Sequence, residues 1–185
     1  MTAPSGSGKT TLARRLMAAL PNIRFSVSAT TRAPRSGEVD GRDYHFLSPE
    51  AFEQAREEGR LAECEEVYPG CWYGTLLSEI DASDADHPIL LDIDVKGASR
   101  IKEIHGDRVL TVFIRPPSLD VLEHRLRARA SDSDEAIRVR LDRAAHELGW
   151  EDHFDVVIVN DNLDTAAERL VTVVGDFLVA CRRTA

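Results

Sequence analysis

One octet near the start of the chain constrains it more than any other feature. Residues 3–10 read Ala-Pro-Ser-Gly-Ser-Gly-Lys-Thr. Gly6 and Gly8 let the backbone curl through conformations that other residues rarely adopt, so that successive N–H groups turn inward. The Gly-Lys-Thr ending opens into an apolar period: Leu12, Leu16, Met17 and Leu20 recur at steps of three and four, and Pro21 closes the run. A ring of inward amides at the start of a helix is an anion cradle, because the helix dipole and its unpaired N–H groups both favour negative charge. The octet matches the P-loop pattern except at its first position, where Ala3 stands in place of Gly. It predicts a loop in which Ser5, Gly6, Ser7, Gly8 and Thr11 surround a nucleotide's phosphates. Lys9 would reach the β- and γ-phosphates, and Thr10 would offer its hydroxyl to Mg²⁺.

A P-loop normally follows a buried strand, and here only Met1 and Thr2 precede it. The expectation is that the first core strand is missing, and that an otherwise identical chain carrying an apolar strand ahead of the loop is more stable.

The remaining chain predicts an α/β fold. Continuous apolar runs at 89–92, 109–114 and 156–159 read as strands buried on both faces. Each precedes a helical period, at 95–104, 118–129 and 163–181, and 134–149 adds one more helix. Strands alternating with helices imply a parallel sheet with crossover helices. Short strands are expected at 25–28, 44–47 and 61–67. Ser48-Pro49 offers an N-cap and an N1 proline for a helix to about 58, and 75–82 reads as helical. The mixed pattern over 30–82 marks an insertion on the α/β core. The strand at 89–92 ends in Asp92 and continues to Asp94, so it can aim a carboxylate at a metal shell beside the loop.

The chain has 185 residues and a formal net charge of -9, against what a general nucleic-acid binder requires. A local cluster of arginines still holds an anion, because near fields outweigh net charge. Three scattered cysteines imply reduced thiols rather than a disulfide framework or a zinc site. Nothing in the first residues reads as a signal peptide, and no apolar run approaches a membrane span. The expectation is a cytoplasmic chain with no membrane or nucleic-acid partner.

Residues 26–46, Ser-Val-Ser-Ala-Thr-Thr-Arg-Ala-Pro-Arg-Ser-Gly-Glu-Val-Asp-Gly-Arg-Asp-Tyr-His-Phe, resemble the signature of the guanylate kinases. Tyr73-Gly-Thr75, Leu91-Asp-Ile-Asp94 and Val157-Ile-Val-Asn-Asp161 fall where that family has them, so the resemblance runs through nearly the whole chain. It implies a P-loop NTPase-type core (1–29, 83–126 and 148–185), a mixed α+β GMP-binding lobe at 30–82 and a helical lid at 127–147. It implies Mg²⁺-dependent transfer of the ATP γ-phosphate to GMP. Arg32, Arg35, Tyr44 and Tyr73 would hold the GMP phosphate. Glu63 would accept from guanine N1–H and the 2-amino group, and Ser28 and Thr75 would donate to O6. Asp92 would lie near the guanine amino group and the metal. Arg125, Arg129 and Arg140 would join Lys9 and Arg32 at the transferring phosphoryl group, and Asn160 would lie near adenine. Two alternatives stand beside this: a guanylate-kinase-like module that binds without catalysis, and a P-loop kinase with another acceptor.

Overall fold

In the computed structural model, which describes residues 1–84, 86–128 and 133–184, the chain divides into two compact units. The first joins Met1–Pro21 to Ile93–Ala185, and the second is Asn22–Asp92.

The first unit is built on helices and parallel pairing. Helix α1 (Lys9–Ala19) follows the glycine loop and buries Leu12, Ala13 and Leu16. Among the described residues the strands are β1 (Arg24–Phe25), β2 (Ala29–Thr30), β3 (His45–Phe46), β4 (Leu61–Tyr68), β5 (Cys71–Leu76), β6 (Ile89–Leu90), β7 (Val112–Arg115) and β8 (Val156–Val159). In the first unit β7 and β8 run parallel, with Phe113 opposite Val157 and Ile114 opposite Ile158. Thr2 forms an isolated parallel bridge to Phe113. Its N–H donates to the Val112 carbonyl at 2.9 Å, and its carbonyl accepts from Ile114 N–H at 2.8 Å. Phe113, Ile114 and Ile158 are buried, as a strand covered on both faces requires.

Among the described residues four further α-helices belong to the first unit. Helix α4 (Val95–His105) starts at Asp94, whose Oδ1 accepts from Lys96 N–H at 2.8 Å and Gly97 N–H at 2.9 Å. That is an N-cap, satisfying two of the helix's open donors. Helix α5 (Leu119–Ala128) packs Leu122 and Leu126 on Ile137 and Ala144 of α6 (Asp134–Leu148). Helix α7 (Leu163–Thr184) packs along α1 and buries Ala166, Ala167 and Leu170. Among the described residues, no helix is long and apolar enough to cross a membrane.

The second unit carries the mixed part of the chain. Its four-stranded sheet has the order β3-β2-β5-β4. β4 and β5 form an antiparallel hairpin around Gly70, whose φ is 75°, a conformation that glycine takes without strain. β2 lies antiparallel to β5 and parallel to β3. Helix α2 (Pro49–Glu57) begins as its sequence dictates: Ser48 Oγ accepts from Ala51 N–H at 3.2 Å, with Pro49 at N1. A short helix, α3 (Leu77–Asp81), follows β5. β1 and β6 pair in parallel, Arg24 opposite Ile89 and Phe25 opposite Leu90, so both flanks of the insertion join this unit.

Three expectations about elements need correction. Residues 71–76 are strand, so the helix expected at 75–82 starts only at Leu77. Strand is confined to two residues within 89–92, because Asp94 is already the cap of the next helix. The expected strand at 25–28 is split, with β1 ending at Phe25 and β2 starting at Ala29.

Candidate functional site

In the first unit the glycine loop is seated from below. Gly6 and Gly8 have φ of 97° and 89°, in the region where a side chain is strained. A Cβ on Gly6 would come within 3.0 Å of Leu122 Cδ1 and Leu126 Cδ2, so the loop lies directly on the apolar face of α5. At Gly8 a Cβ would collide with the side-chain amide of Asn160. That amide donates to the Ser7 carbonyl at 2.7 Å, and Asn160 is 4% exposed. Asn160 therefore braces the loop from the end of β8. Arg125 in turn donates to the Asn160 carbonyl at 3.0 Å, which ties α5 to the same strand end.

Gly8 is the N-cap of α1 and has no side chain to satisfy the first-turn amides. Ser7 is buried, whereas Ser5, Thr10 and Thr11 are exposed on the solvent side of the loop, and Lys9 is half-buried as the first residue of α1. Open amides at a helix start, beside one cation and three exposed hydroxyls, suit a polyphosphate. Arg140 lies half-buried on α6. Arg129 falls outside the described residues.

In the second unit the pairing of β4 with β5 sets the geometry. Glu63 stands opposite Thr75 and Glu65 opposite Tyr73. Tyr73 and Thr75 are two residues apart and share a face of β5. Thr75 is fully buried and donates to Glu63 Oε1 at 2.6 Å. Its one hydroxyl proton is thus given to Glu63, and it presents lone pairs rather than a donor elsewhere. Ser28 is half-buried at the entry to β2, where its carbonyl accepts from His45 N–H at 2.9 Å.

One strand step from the Glu63–Thr75 pair, about 7 Å along the sheet, Arg32 gathers the aromatic residues. Its Nε donates to the Tyr73 hydroxyl at 3.2 Å. Its guanidinium carbon lies 5.3 Å from the centre of the Tyr44 ring and 5.7 Å from that of Phe46. Tyr44 and Tyr73 meet edge to face, with centroids 6.0 Å apart. Burial first, then the neighbouring Tyr73 and Asp92, push the Tyr44 hydroxyl above its ordinary range, so it stays a proton donor. Arg35 is exposed on the following loop.

Besides the brace from Asn160, two residues have roles that sequence reasoning missed. Glu38 grips the Arg32 fork, with Oε1 accepting from one terminal nitrogen at 2.9 Å and Oε2 from the other at 3.0 Å. Oε2 also accepts from the Arg35 backbone N–H at 2.6 Å. The Arg32 hydrogen bonds, then that of Arg35, hold the Glu38 carboxyl below the usual carboxylate range. The only signal was an acid three residues after Arg35 in an arginine-rich loop. Asp94 is the other, and an aspartate just ahead of a helical period was a legible cap.

Each unit carries its own feature: a loop of open amides at a helix start in the first, and an arginine–tyrosine cluster beside a carboxylate–hydroxyl pair in the second. The family model for guanylate kinase matches residues 1–176. A guanylate kinase from Salinibacter ruber is 53% identical, with 96% of this chain and 95% of that protein covered. One from Chlorobium luteolum is 49% identical, with 96% and 90% covered. The crystal structure of guanylate kinase from Anaplasma phagocytophilum superposes with a TM-score of 0.75 at 35% identity, covering 95% of this chain and 82% of that one. Cradle, cluster and these likenesses agree: the chain belongs to the guanylate kinase family.

Proposed function

We propose that this chain transfers the γ-phosphate of ATP to GMP or dGMP, giving ADP and GDP, with Mg²⁺ carried on the ATP. The observation that carries this reading is the β4–β5 register. It sets a carboxylate–hydroxyl pair, half-buried Glu63 with buried Thr75, one strand step from the Arg32–Tyr73–Tyr44 cluster. A carboxylate suits the two donors on the Watson–Crick edge of guanine, and arginine with tyrosine hydroxyls suits a phosphate. Adenine offers no such pair of donors, and unpaired polar groups in a site of this kind discriminate by about 10⁴-fold or more.

The reaction asks little covalent work of the protein. An oxygen of the GMP phosphate attacks the γ-phosphorus, a new P–O bond forms, and the bond from that phosphorus to the β,γ-bridging oxygen breaks, leaving ADP. The acceptor is already an oxyanion, so no general base is assigned. The P-loop amides and Lys9 hold the donor's phosphates. Arg32, Arg35, Tyr44 and Tyr73 hold the acceptor's, with Ser28 and Asp92 near the base. Arg125, Arg129 and Arg140 neutralise charge at the transferring group, a role worth about 10³–10⁵ in rate for an arginine in comparable reactions. Asn160 is assigned to the adenine side of the cradle that it braces.

Thr10, exposed in the first turn of α1, and Asp92 would hold Mg²⁺, which supplies further charge neutralisation when bound. Among the described residues no group of three or more His, Cys, Asp or Glu is gathered for a metal. A magnesium ion delivered on ATP needs no such cage, since phosphate oxygens and water fill most of its shell. Among the described residues Cys64, Cys71 and Cys181 are not joined in disulfides, which suits a reducing compartment, and we place the activity in cytoplasmic purine nucleotide metabolism. Helix α6 would serve as part of the lid, and the second unit as the acceptor lobe.

The test is ADP formation from ATP with GMP, dGMP, AMP and UMP in turn. Turnover confined to the guanine nucleotides supports the reading. Turnover with another acceptor makes this a different P-loop kinase, and binding of GMP with no ADP formed makes it a binding module.

A further inference from the structure

Arg32 has five N–H groups in a rigid planar fork. Among the described residues four of them are committed within the chain: Nε to the Tyr73 hydroxyl, one terminal nitrogen to both Glu38 and the Ala33 carbonyl, the other to Glu38. The two bonds to Glu38 occupy the end of the fork. The remaining N–H lies on the side edge, next to the Nε that donates to Tyr73. A hydroxyl that accepts keeps its own proton to give, so Tyr73 and this edge of Arg32 form a two-donor pair. One face of the guanidinium lies against the Tyr44 and Phe46 rings. The Arg32 and Glu38 side chains are 15% and 20% exposed, so the pair sits well inside the loop. The same carboxylate holds the Arg35 backbone.

We infer that Glu38 is a positioning residue for the acceptor phosphate: by taking the end of the Arg32 fork and the Arg35 amide, it turns the side edge of Arg32 and the Tyr73 hydroxyl toward that phosphate. This rests on the assignment of Arg32 to the GMP phosphate. Glu38 touches no substrate in this account. It decides which edge of the arginine the substrate meets, and it fixes the loop that carries Arg35. The opposite idea is that Glu38 is a stand-in for phosphate that GMP must displace. The two ideas predict opposite signs.

Glu38→Gln keeps the shape but sets an amide against the fork, and Glu38→Ala removes the grip. Steady-state kinetics on both variants should show the GMP KM raised about tenfold or more, as for loss of a charged hydrogen-bonded group. The ATP KM should be unchanged and kcat at saturating GMP nearly kept, which also shows that the variants are folded. Calorimetry of GMP binding should weaken by a similar factor. A GMP KM that falls in either variant, or does not move, overturns the proposal. Arg32→Met is measured alongside. If it leaves the GMP KM unmoved, or the unsubstituted chain does not phosphorylate GMP, the pocket assignment itself falls. If Arg32→Met raises the GMP KM and the Glu38 variants do not, the pocket stands and only the role of Glu38 is lost.

Discussion

At Gly8 two constraints meet in one residue: a φ of 89° and an amide of Asn160 where a side chain would go. Gly8→Ala is expected to destabilise the chain by about 1–3 kcal/mol and to raise the ATP KM. Thermal melting and ATP titration check this, and an unchanged ATP KM would mean that the loop does not need this seat. Glu63 gives a sharper test of recognition. Glu63→Gln is expected to raise the GMP KM by about 10-fold to 100-fold, through loss of a charged hydrogen-bonding partner, with the ATP KM nearly intact. Equal damage to both substrates would defeat the assignment. The cradle residues were legible because a P-loop is local: loop, lysine and helix start lie within eight consecutive positions. Glu38 and the brace from Asn160 were not. Asn160 reaches Ser7 across 153 positions, and no periodicity records such a contact.

Among the elements, those with one buried stripe were the easiest to foresee. Helix α1 and strand β8 fall where their apolar residues put them. Strand β5 was not foreseen, because Gly74 and the small, polar Thr75 break its pattern and the following residues read as helix. Its partners supply the reason for it: β2 and β4 hydrogen-bond it from both sides, and a Cβ at Gly74 would meet the Glu63 carbonyl at 2.9 Å. The start of β7 has a different control. Asp155 Oδ2 accepts from Thr111 N–H at 2.8 Å and from its hydroxyl at 2.7 Å, while Oδ1 pairs with Lys102 at 3.0 Å. Burial pushes the Asp155 carboxyl up, but the Thr111 and Lys102 hydrogen bonds outweigh it and the net direction is down. A carboxylate with a depressed folded pKa stabilises above its unfolded value, near 4, and that contribution is lost as pH falls through the folded value. Asp155→Asn should therefore cost about 1–2 kcal/mol at neutral pH. The gap should close as pH drops below about 4. Denaturant melts at several pH values measure it, and a gap that widens in acid would contradict the account.

For the whole molecule, the chain's division follows pairing rather than the change in sequence pattern. The mixed pattern begins near residue 30, yet the second unit runs from Asn22 to Asp92, since β1 and β6 draw the flanking residues together. That pairing joins segments over 60 positions apart, and a single sequence gives no register for it. The charge balance shows the same separation of scales. A net charge of -9 coexists with a local cationic cluster at Arg32 and Arg35, because the charges that matter are those within a few ångströms. Phosphoryl transfer from ATP to GMP can be watched by phosphorus-31 NMR. Purified chain is mixed with ATP, Mg²⁺ and GMP, and the spectrum is followed in time. The GMP resonance and the γ-phosphate resonance of ATP should decline together while the resonances of GDP and ADP grow in equal amounts. An unchanged spectrum, or free phosphate growing with no GDP, would contradict that transfer.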